Sequence, residues 1–314
     1  MKAMILLLTL LTCTAGQARA QEQAESRDFV EGADYRVYRG DGSEATLIDV
    51  LDAMGSVGAV LVGEEHGNAV GHAVEERLLA GAVERYGGSP DRWVILSLEM
   101  FERDVQYVLD EYLTGQISET HFLESARPWE GYTERYRPLV ELARTEGVPV
   151  VAANAPRRYV NRVTREGPGS LESLGPMARF FLPPLPYPGP SDAYRAQWDE
   201  IMAAAMRAAA EAHGDSAGVR EYAGSENALQ AQALWDASMG HAVAGALSIM
   251  PGGLVLHFAG SFHVERGTGI AERIEDYRPG TRVLSVVMTQ AEGDIPEWDD
   301  ATHAGLADFV ILTR

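Results

Sequence analysis

The chain nearly lacks cysteine and lysine, and this limits its chemistry. Cys13 and Lys2 are the only residues of these two types, and both lie in the first twenty positions. The rest of the chain can form no disulfide and offers no thiol nucleophile and no thiolate metal ligand. Schiff-base and pyridoxal-lysine catalysis are excluded as well. Any site must therefore use histidine, tyrosine, arginine, hydroxyl, amide or carboxylate side chains.

Positive charge is also scarce. Lysine and arginine together number 26 against 46 acidic residues, which gives a net charge of −20, and −22 without the first twenty residues. Such a surface disfavours nucleic acid and anionic membranes as partners. After the N-terminus, no segment has eighteen uninterrupted apolar residues, so we predict no transmembrane span.

The first twenty residues, MKAMILLLTLLTCTAGQARA, have the features of a secretory signal peptide. A lysine precedes a short apolar run, and an Ala-x-Ala site predicts cleavage before Gln21. We therefore expect an exported protein, periplasmic or extracellular. The alternative is a membrane-anchored lipoprotein, because Leu-Leu-Thr before Cys13 faintly resembles a lipoprotein cleavage box.

The remaining chain alternates between strand and helix patterns. Predicted strands cover 35–40, 59–63, 93–100, 148–155, 253–260, 281–289 and 307–313. Predicted helices cover 46–55, 69–86, 105–114, 133–147, 191–213, 225–249 and 269–277. Apolar strands alternating with helices predict an α/β fold, with a mostly parallel sheet covered on both faces by helices.

We predict a single α/β domain over 46–314, preceded by a loosely ordered segment over 21–45. Residues 167–191 are rich in proline and glycine and are not expected to form regular helix or central strand. We interpret them as a surface excursion that begins a helical insertion over about 167–249.

Polar side chains follow four predicted strands at their C-terminal ends, where parallel α/β sheets place their sites. The candidates are Glu64 and His66 after the first strand, Glu99 in the second, Asn154 and Arg157 after the third, and His263 after a later one. His66 and His263 each end a Gly-x-x-His unit, in which the glycine permits a tight exit turn. An acid after a strand can instead be a helix N-terminal residue favoured by the helix dipole.

The other histidines have weaker support. His72 lies six residues after His66, so on a helix it would face away from His66, and we expect it at the surface. His257 alternates with apolar neighbours and is expected in the core. His121, His213, His241 and His303 have no supporting context.

The segment 128–139, PWEGYTERYRPL, is a further cluster. Its Trp129, Tyr132 and Tyr136 offer flat apolar surface and phenols, and Arg135 and Arg137 offer guanidinium groups. This combination suits an aromatic ligand that carries carboxylates. A helix start with an aromatic packing face is an equal alternative.

Six blocks in order, LVGEEH, SLEMFERD, WEGYTERYRPLVELAR, VVAANAPR, QALWDASMGHAV and HFAGSFHVERGTGI, resemble the ChaN-like family of bacterial exported proteins. That family belongs to a haem-binding-uptake and Tiki superfamily. The resemblance covers about 57–290, while the proline-rich segment and the acidic tail match nothing in it. The positions that match its signature are Glu64, His66, Glu99, Asn154, Arg157, Trp235, Asp236 and His263.

The resemblance implies an α/β fold and a role in haem or iron acquisition, with haem as the ligand. Haem iron accepts histidine or tyrosine, and arginine pairs with propionates. Tyr132, Tyr136, Arg157, Asn154, His66 and His263 are the candidate haem-binding residues. A homodimer is a further candidate assembly.

The alternative is a hydrolase, because the wider superfamily resembles Tiki metalloproteases and erythromycin esterases. Glu64, His66, Glu99 and His263 would then hold a divalent metal such as Mn²⁺, Co²⁺ or Zn²⁺, or act without metal as general base and acid. The strand-end residues alone slightly favour hydrolysis, whereas the family resemblance favours haem or iron binding.

Overall fold

The structure is a computed structural model that describes residues 29–88, 92–211, 225–291 and 297–314. The predicted signal peptide, Cys13 and His213 lie outside these ranges. The described residues form a sheet of eight strands in the order β2-β1-β8-β7-β3-β6-β4-β5. The strands are β1 Tyr35–Arg39, β2 Glu44–Ala45, β3 Ala59–Glu64, β4 Val94–Glu102, β5 Val150–Asn154, β6 Leu254–Gly260, β7 Val283–Gln290 and β8 Phe309–Thr313.

Six neighbouring strands of this sheet, from β8 to β5, are parallel. Their apolar residues are buried on both faces, and every residue of β3 is buried. Burial on both faces is what a parallel sheet requires, since helices cover each side. The predicted α/β fold is confirmed.

The N-terminal segment is more ordered than we predicted. Strand β1 pairs antiparallel with β8 over five residues, and β2 pairs with the outer side of β1. Tyr35 and Val37 are buried in the main core. The strand predicted over 35–40 forms as β1, whereas the expectation of loose order over 21–45 is wrong for 35–45, because β1 buries apolar side chains.

Helices occupy both faces of the sheet. They are α1 Leu47–Ala53, α2 Ala69–Tyr86, α3 Gln106–Leu113, α4 Glu119–Ala126, α5 Tyr132–Arg135, α6 Arg137–Glu146, α7 Arg157–Glu166, α8 Pro176–Phe180, α9 Asp192–Glu211, α10 Glu226–Ile249, α11 Ile270–Tyr277 and α12 Asp300–His303. In the part of the chain that the structure describes, we find no helix with the length and apolar character needed to cross a membrane.

Two local predictions need correction. The helix predicted over 133–147 is two helices, α5 and α6, that meet at Tyr136. Pro138 lies in the first turn of α6, where a missing N–H costs nothing, so it does not kink a longer helix. The proline-rich segment contains a 3₁₀ helix over Pro168–Ser173 and the short α8, so it is not wholly irregular.

Strand order explains how distant residues meet. Strand β6 lies between β3 and β4, although it follows them by a long stretch of chain. Glu64 of β3 is in register with Gly260 of β6, and Leu98 of β4 is in register with Phe258. The C-terminal ends of these three strands therefore form one continuous edge.

Candidate functional site

A cavity of about 580 Å³ opens at this edge. Its volume is within the range of small-molecule sites, ~300–1,000 Å³. The wall combines aromatic side chains with the predicted polar residues. It is lined by Glu64, Glu65, His66, Glu99, Trp129, Asn154, Arg157, Trp198, Ile201, Met202, Gln232, Trp235, Gly260, Ser261, Phe262 and His263. Glu64, His66, Glu99, Asn154, Arg157 and His263 thus line one cavity.

His66 presents one ring nitrogen to the cavity. Its Nδ1–H donates to Oε1 of Glu64 at 2.6 Å, so Nε2 is the nitrogen available to a ligand. The side chain is 48% exposed, and its ring meets Trp129 edge-on at 5.1 Å. The hydrogen bond with Glu64 raises the pKa of His66 above its ordinary value.

Glu64 is almost fully buried and is held by several donors. Oε1 accepts from His66 and also from the phenol of Tyr136 at 2.8 Å. Burial acts to raise the pKa of Glu64, but hydrogen bonds from His66 and His72 outweigh it and hold the pKa below its ordinary value. Glu64 is therefore a charged group that fixes the orientation of His66.

His72 is not at the surface, contrary to our prediction. It is buried at 5% exposure, and Nδ1 lies 3.1 Å from Oε2 of Glu64 and 3.0 Å from Oε2 of Glu75. The helical argument failed because α2 begins only after its N-cap, Asn68, so His66 is not part of that helix. Glu75, which is 0% exposed, was not recognised from the sequence.

His263 is held in the same manner from a different part of the chain. Its Nδ1–H donates to Oδ1 of Asp236 on α10 at 2.8 Å, and Oδ2 of Asp236 accepts from the phenol of Tyr194. Burial acts to lower the pKa of His263, but the charges of Asp236 and Glu99 outweigh it and raise the pKa to about 9. His263 is therefore an imidazolium at neutral pH.

Glu99 lies between the two imidazoles. Its Oε2 accepts from the backbone N–H of Gly260 at 2.8 Å, and its Oε1 is 3.8 Å from Nε2 of His263. Gly260 permits this close grouping, because a Cβ there would lie 3.3 Å from Cε1 of His66 and 3.8 Å from Oε2 of Glu99. A carboxylate and two imidazoles thus converge on a small volume.

The wall also carries an amide and a guanidinium. Asn154 ends β5 and is 5% exposed, and among the described residues its Oδ1 has no hydrogen-bond partner. The guanidinium of Arg157 lies over the ring of Trp235, 6.0 Å from the centroid. These groups add a guanidinium and a buried acceptor to a wall that also carries the carboxylates of Glu64, Glu65 and Glu99.

Tyr132 and Tyr136 do not line the cavity. Tyr132 is 4% exposed and Tyr136 is 0% exposed, and both belong to the main hydrophobic core. Tyr132 packs against Phe101 and Phe122, whereas Trp129 from the same segment does face the cavity. These two tyrosines therefore belong to an aromatic packing face, which was the alternative interpretation of the segment.

The metal-binding potential also differs from our prediction. Among the described residues, the group of three whose ligand atoms lie close enough to hold one ion is Glu64, His72 and Glu75. Of the predicted metal ligands Glu64, His66, Glu99 and His263, this group includes Glu64 alone.

The fold and this site define a class of α/β protein with a ligand cavity at the carboxyl edge of a parallel sheet. Residues 50–274 match the family described as haem-binding uptake, Tiki superfamily, ChaN, and the chain belongs to this family. The predicted resemblance is confirmed.

The fold agrees with that of a solved structure of the family. A structure described as cofacial heme binding to ChaN of Campylobacter jejuni has a TM-score of 0.64 at 14% identity, covering 91% of this chain and 99% of that one. A succinoglycan biosynthesis protein has a TM-score of 0.47 at 12% identity, over 90% and 94% of the two chains. A mutant erythromycin esterase in its open conformation has a TM-score of 0.44 at 12% identity, over 89% and 82%. A search of curated protein sequences found no match.

Proposed function

We propose that this protein binds haem in the cavity between the ends of β3, β4 and β6. The observation that carries the proposal is His66, whose Nδ1 is fixed by Glu64 and whose Nε2 faces a cavity with aromatic walls. Membership of a haem-binding uptake family supports the same ligand.

The wall suits a flat apolar ring system with acidic substituents. Trp129, Trp198 and Trp235 supply flat aromatic surface, and Ile201 and Met202 add aliphatic surface. Arg157 supplies a guanidinium that can pair with a propionate carboxylate. The chemistry of the lining residues therefore fits haem, with a neutral imidazole as the ligand to iron.

His66 is the better candidate for the iron ligand. It is half exposed to the cavity, whereas the side chain of His263 is only 9% exposed and faces Glu99. The tyrosines that we predicted as ligands are buried in the core, and the hydroxyl of Tyr136 donates a hydrogen bond to Glu64. We therefore assign His66 to the iron, and Arg157 and Asn154 to the haem edge.

The biological role that we propose is haem or iron acquisition by an exported protein. This role rests on the family and on the signal-like N-terminus, with lipid anchoring at Cys13 as the alternative state. A homodimer remains part of this proposal, and sedimentation with and without hemin tests it.

The experiment is an equilibrium titration of the purified protein with hemin, followed in the Soret region. We expect a Soret band distinct from that of free hemin and saturation at a fixed stoichiometry. His66→Ala should weaken binding by about tenfold or more, since loss of an iron ligand costs at least ~1.4 kcal/mol. The matched control is His121→Ala, which removes an exposed histidine. A titration that shows only the spectrum of free hemin would falsify the proposal.

A hydrolase is the second candidate, and the surroundings of His263 favour it. One ring nitrogen of His263 meets Asp236, and the other faces Glu99. The imidazolium of His263, oriented by Asp236, can donate a proton to a leaving group, and Glu99 can accept a proton from water. Turnover of ester and peptide libraries by the wild type and by Glu99→Gln tests this. The hydrolase proposal fails if no substrate is cleaved or if Glu99→Gln retains full activity.

A further inference from the structure

A second group of polar side chains lies behind His66 and outside the haem proposal. Glu64 ends β3, and His72 and Glu75 lie one turn apart on α2. All three are buried, and Glu75 is 0% exposed. Two carboxylates and an imidazole are thus enclosed together, which is costly unless their charges are compensated.

Arginine does not supply that compensation. Among the described residues, the ion-pair partners of Glu64 are His66 and His72, and the partner of Glu75 is His72. Oε2 of Glu64 has Nδ1 of His72 3.1 Å away, and Oε1 of Glu75 is buried without a hydrogen-bond donor in the described part of the chain. One imidazole therefore serves both carboxylates, and an oxygen of Glu75 is left without a donor.

The ring of His72 is oriented as metal-binding histidines are. Its Nε2 lies 3.1 Å from the backbone carbonyl of His66, to which it donates, so Nδ1 faces the two carboxylates. A metal-ligating histidine almost always donates its other ring N–H to a carbonyl or carboxylate. The bond to the carbonyl thus leaves Nδ1 as the ligand atom.

The spacing of the donor atoms is compatible with one small ion. Nδ1 of His72 is 3.0 Å from Oε2 of Glu75 and 3.1 Å from Oε2 of Glu64. Ligands at ~2.0–2.2 Å from a tetrahedral zinc ion are ~3.3 Å apart, so a small adjustment suffices.

We propose that Glu64, His72 and Glu75 bind a divalent transition-metal ion such as Zn²⁺ or Co²⁺. One imidazole and two carboxylates suit this class of ion, and its charge balances both carboxylates. The other oxygen of Glu64 holds His66, so the ion positions a residue of the cavity wall without contacting the cavity ligand. The ion would lie outside the haem cavity, and its binding can be measured without hemin.

The test begins with protein stripped by a chelator and titrated with Co²⁺, followed by visible absorption. We expect one equivalent to bind with the intense bands of a low-coordinate site. Glu75→Gln should weaken binding by more than ~100-fold, beyond the 10–100-fold that loss of an outer partner costs. The matched control is Glu76→Gln, since Glu76 is the exposed neighbour on α2, and Glu99→Gln controls for the cavity. Both controls should bind as the wild type does.

Binding that survives in Glu75→Gln, or that is lost in Glu99→Gln, overturns the proposal. Should Glu75→Gln fail to fold, crystals of the wild type soaked in Zn²⁺ decide. A zinc-edge anomalous peak within ~2.2 Å of Nδ1 of His72 supports the site. No peak there means that shared protons, and not a metal, neutralise the carboxylates. Hemin binding is read separately in the Soret region, so either proposal can fail alone.

Discussion

Glu64 on β3 lies directly beside Gly260 on β6, in register, although the two belong to distant parts of the chain. This pairing brings His66, two residues after Glu64, and His263, three residues after Gly260, to the same cavity. It also lets the ring of His66 approach the backbone of β6 closely, since a Cβ at Gly260 would contact that ring. The pairing of β3 with β6 is therefore the structural basis of the site.

Replacing Gly260 by alanine should weaken ligand binding without unfolding the protein. The added methyl group would lie 3.3 Å from Cε1 and 3.5 Å from Nε2 of His66, so the ring must shift by a few tenths of an ångström. We expect hemin affinity to fall by about tenfold, a cost of ~1.4 kcal/mol. Hemin titration and thermal unfolding of the same samples separate binding from stability. An unchanged hemin affinity would mean that the ring of His66 does not contact the ligand.

Gly63→Ala should destabilise the fold itself. A Cβ at Gly63 would lie 2.9 Å from the backbone Cα of Ser261, so β3 and the turn after β6 would have to separate. Overpacking of this kind costs ~1–3 kcal/mol. The control is Gly58→Ala, whose nearest contact is an ordinary 3.6 Å. Chemical denaturation measures both, and equal stabilities of the two variants would show that the turn can move freely.

Removing the charge of Asp236 should lower the pKa of His263. The raised value, about 9, reflects the charges of Asp236 and Glu99 acting against burial. We expect the pKa to fall in Asp236→Asn and to change less in Tyr194→Phe, which keeps the carboxylate. Titration of the His263 ring protons by NMR gives both values. A pKa that stays near 9 in Asp236→Asn would show that Asp236 does not stabilise the imidazolium.

The folded-state pKa of His263 also predicts a pH dependence of stability. This pKa lies above the ordinary 6.5, so the ion pair with Asp236 stabilises the folded protein fully below pH 6.5. That stabilisation is lost as the pH rises through about 9. The free energy of unfolding of the wild type should therefore fall over this range relative to that of Asp236→Asn. Parallel curves for the two proteins would contradict the assignment.

His257 should contribute to acid sensitivity. It is fully buried in β6 beside the hydroxyl of Ser97, and burial lowers its pKa to about 3. The unfolded chain binds a proton near pH 6.5 that the folded protein does not, so stability falls as the pH drops from 6.5 toward 3. The slope for this one group is at most ~1.4 kcal/mol per pH unit.

We expect His257→Leu to flatten this loss relative to the wild type, and His121→Gln, an exposed control, to leave it unchanged. Urea denaturation at a series of pH values measures the free energy of unfolding for each protein. If His257→Leu and the wild type lose stability equally below pH 6.5, His257 is protonated in the folded state.

The polar residues at the strand ends were predictable from the sequence, but the order of the strands in the sheet was not. The apolar run that ends at Glu64 and the apolar run that contains Glu99 locate the edge of the sheet, because β3 and β4 are buried on both faces. The insertion of β6 between them depends on long-range packing that local patterns do not encode. Asp236 could be connected with His263 only through the family resemblance, because the two lie on different elements and no local pattern pairs a helix residue with a residue after the next strand.

The missed residues have specific physical causes. His72 was placed on the wrong face because the helical count was started at His66, before the N-cap at Asn68. Counted within α2, His72 and Glu75 are three residues apart and share a face. That pair, on a helix that follows a buried strand, was the signal available. Tyr132 was wrongly predicted to bind the ligand, because an aromatic residue close to a site in the sequence can equally pack in the hydrophobic core.

The proposal of haem binding at His66 is tested most directly by an iron-edge anomalous difference map from crystals grown with hemin. We predict a single iron position for each chain inside the cavity, beside Nε2 of His66, with Arg157 close to a propionate. Iron found only outside this cavity, or iron in the cavity ligated without His66 while His66→Ala binds hemin normally, would contradict it.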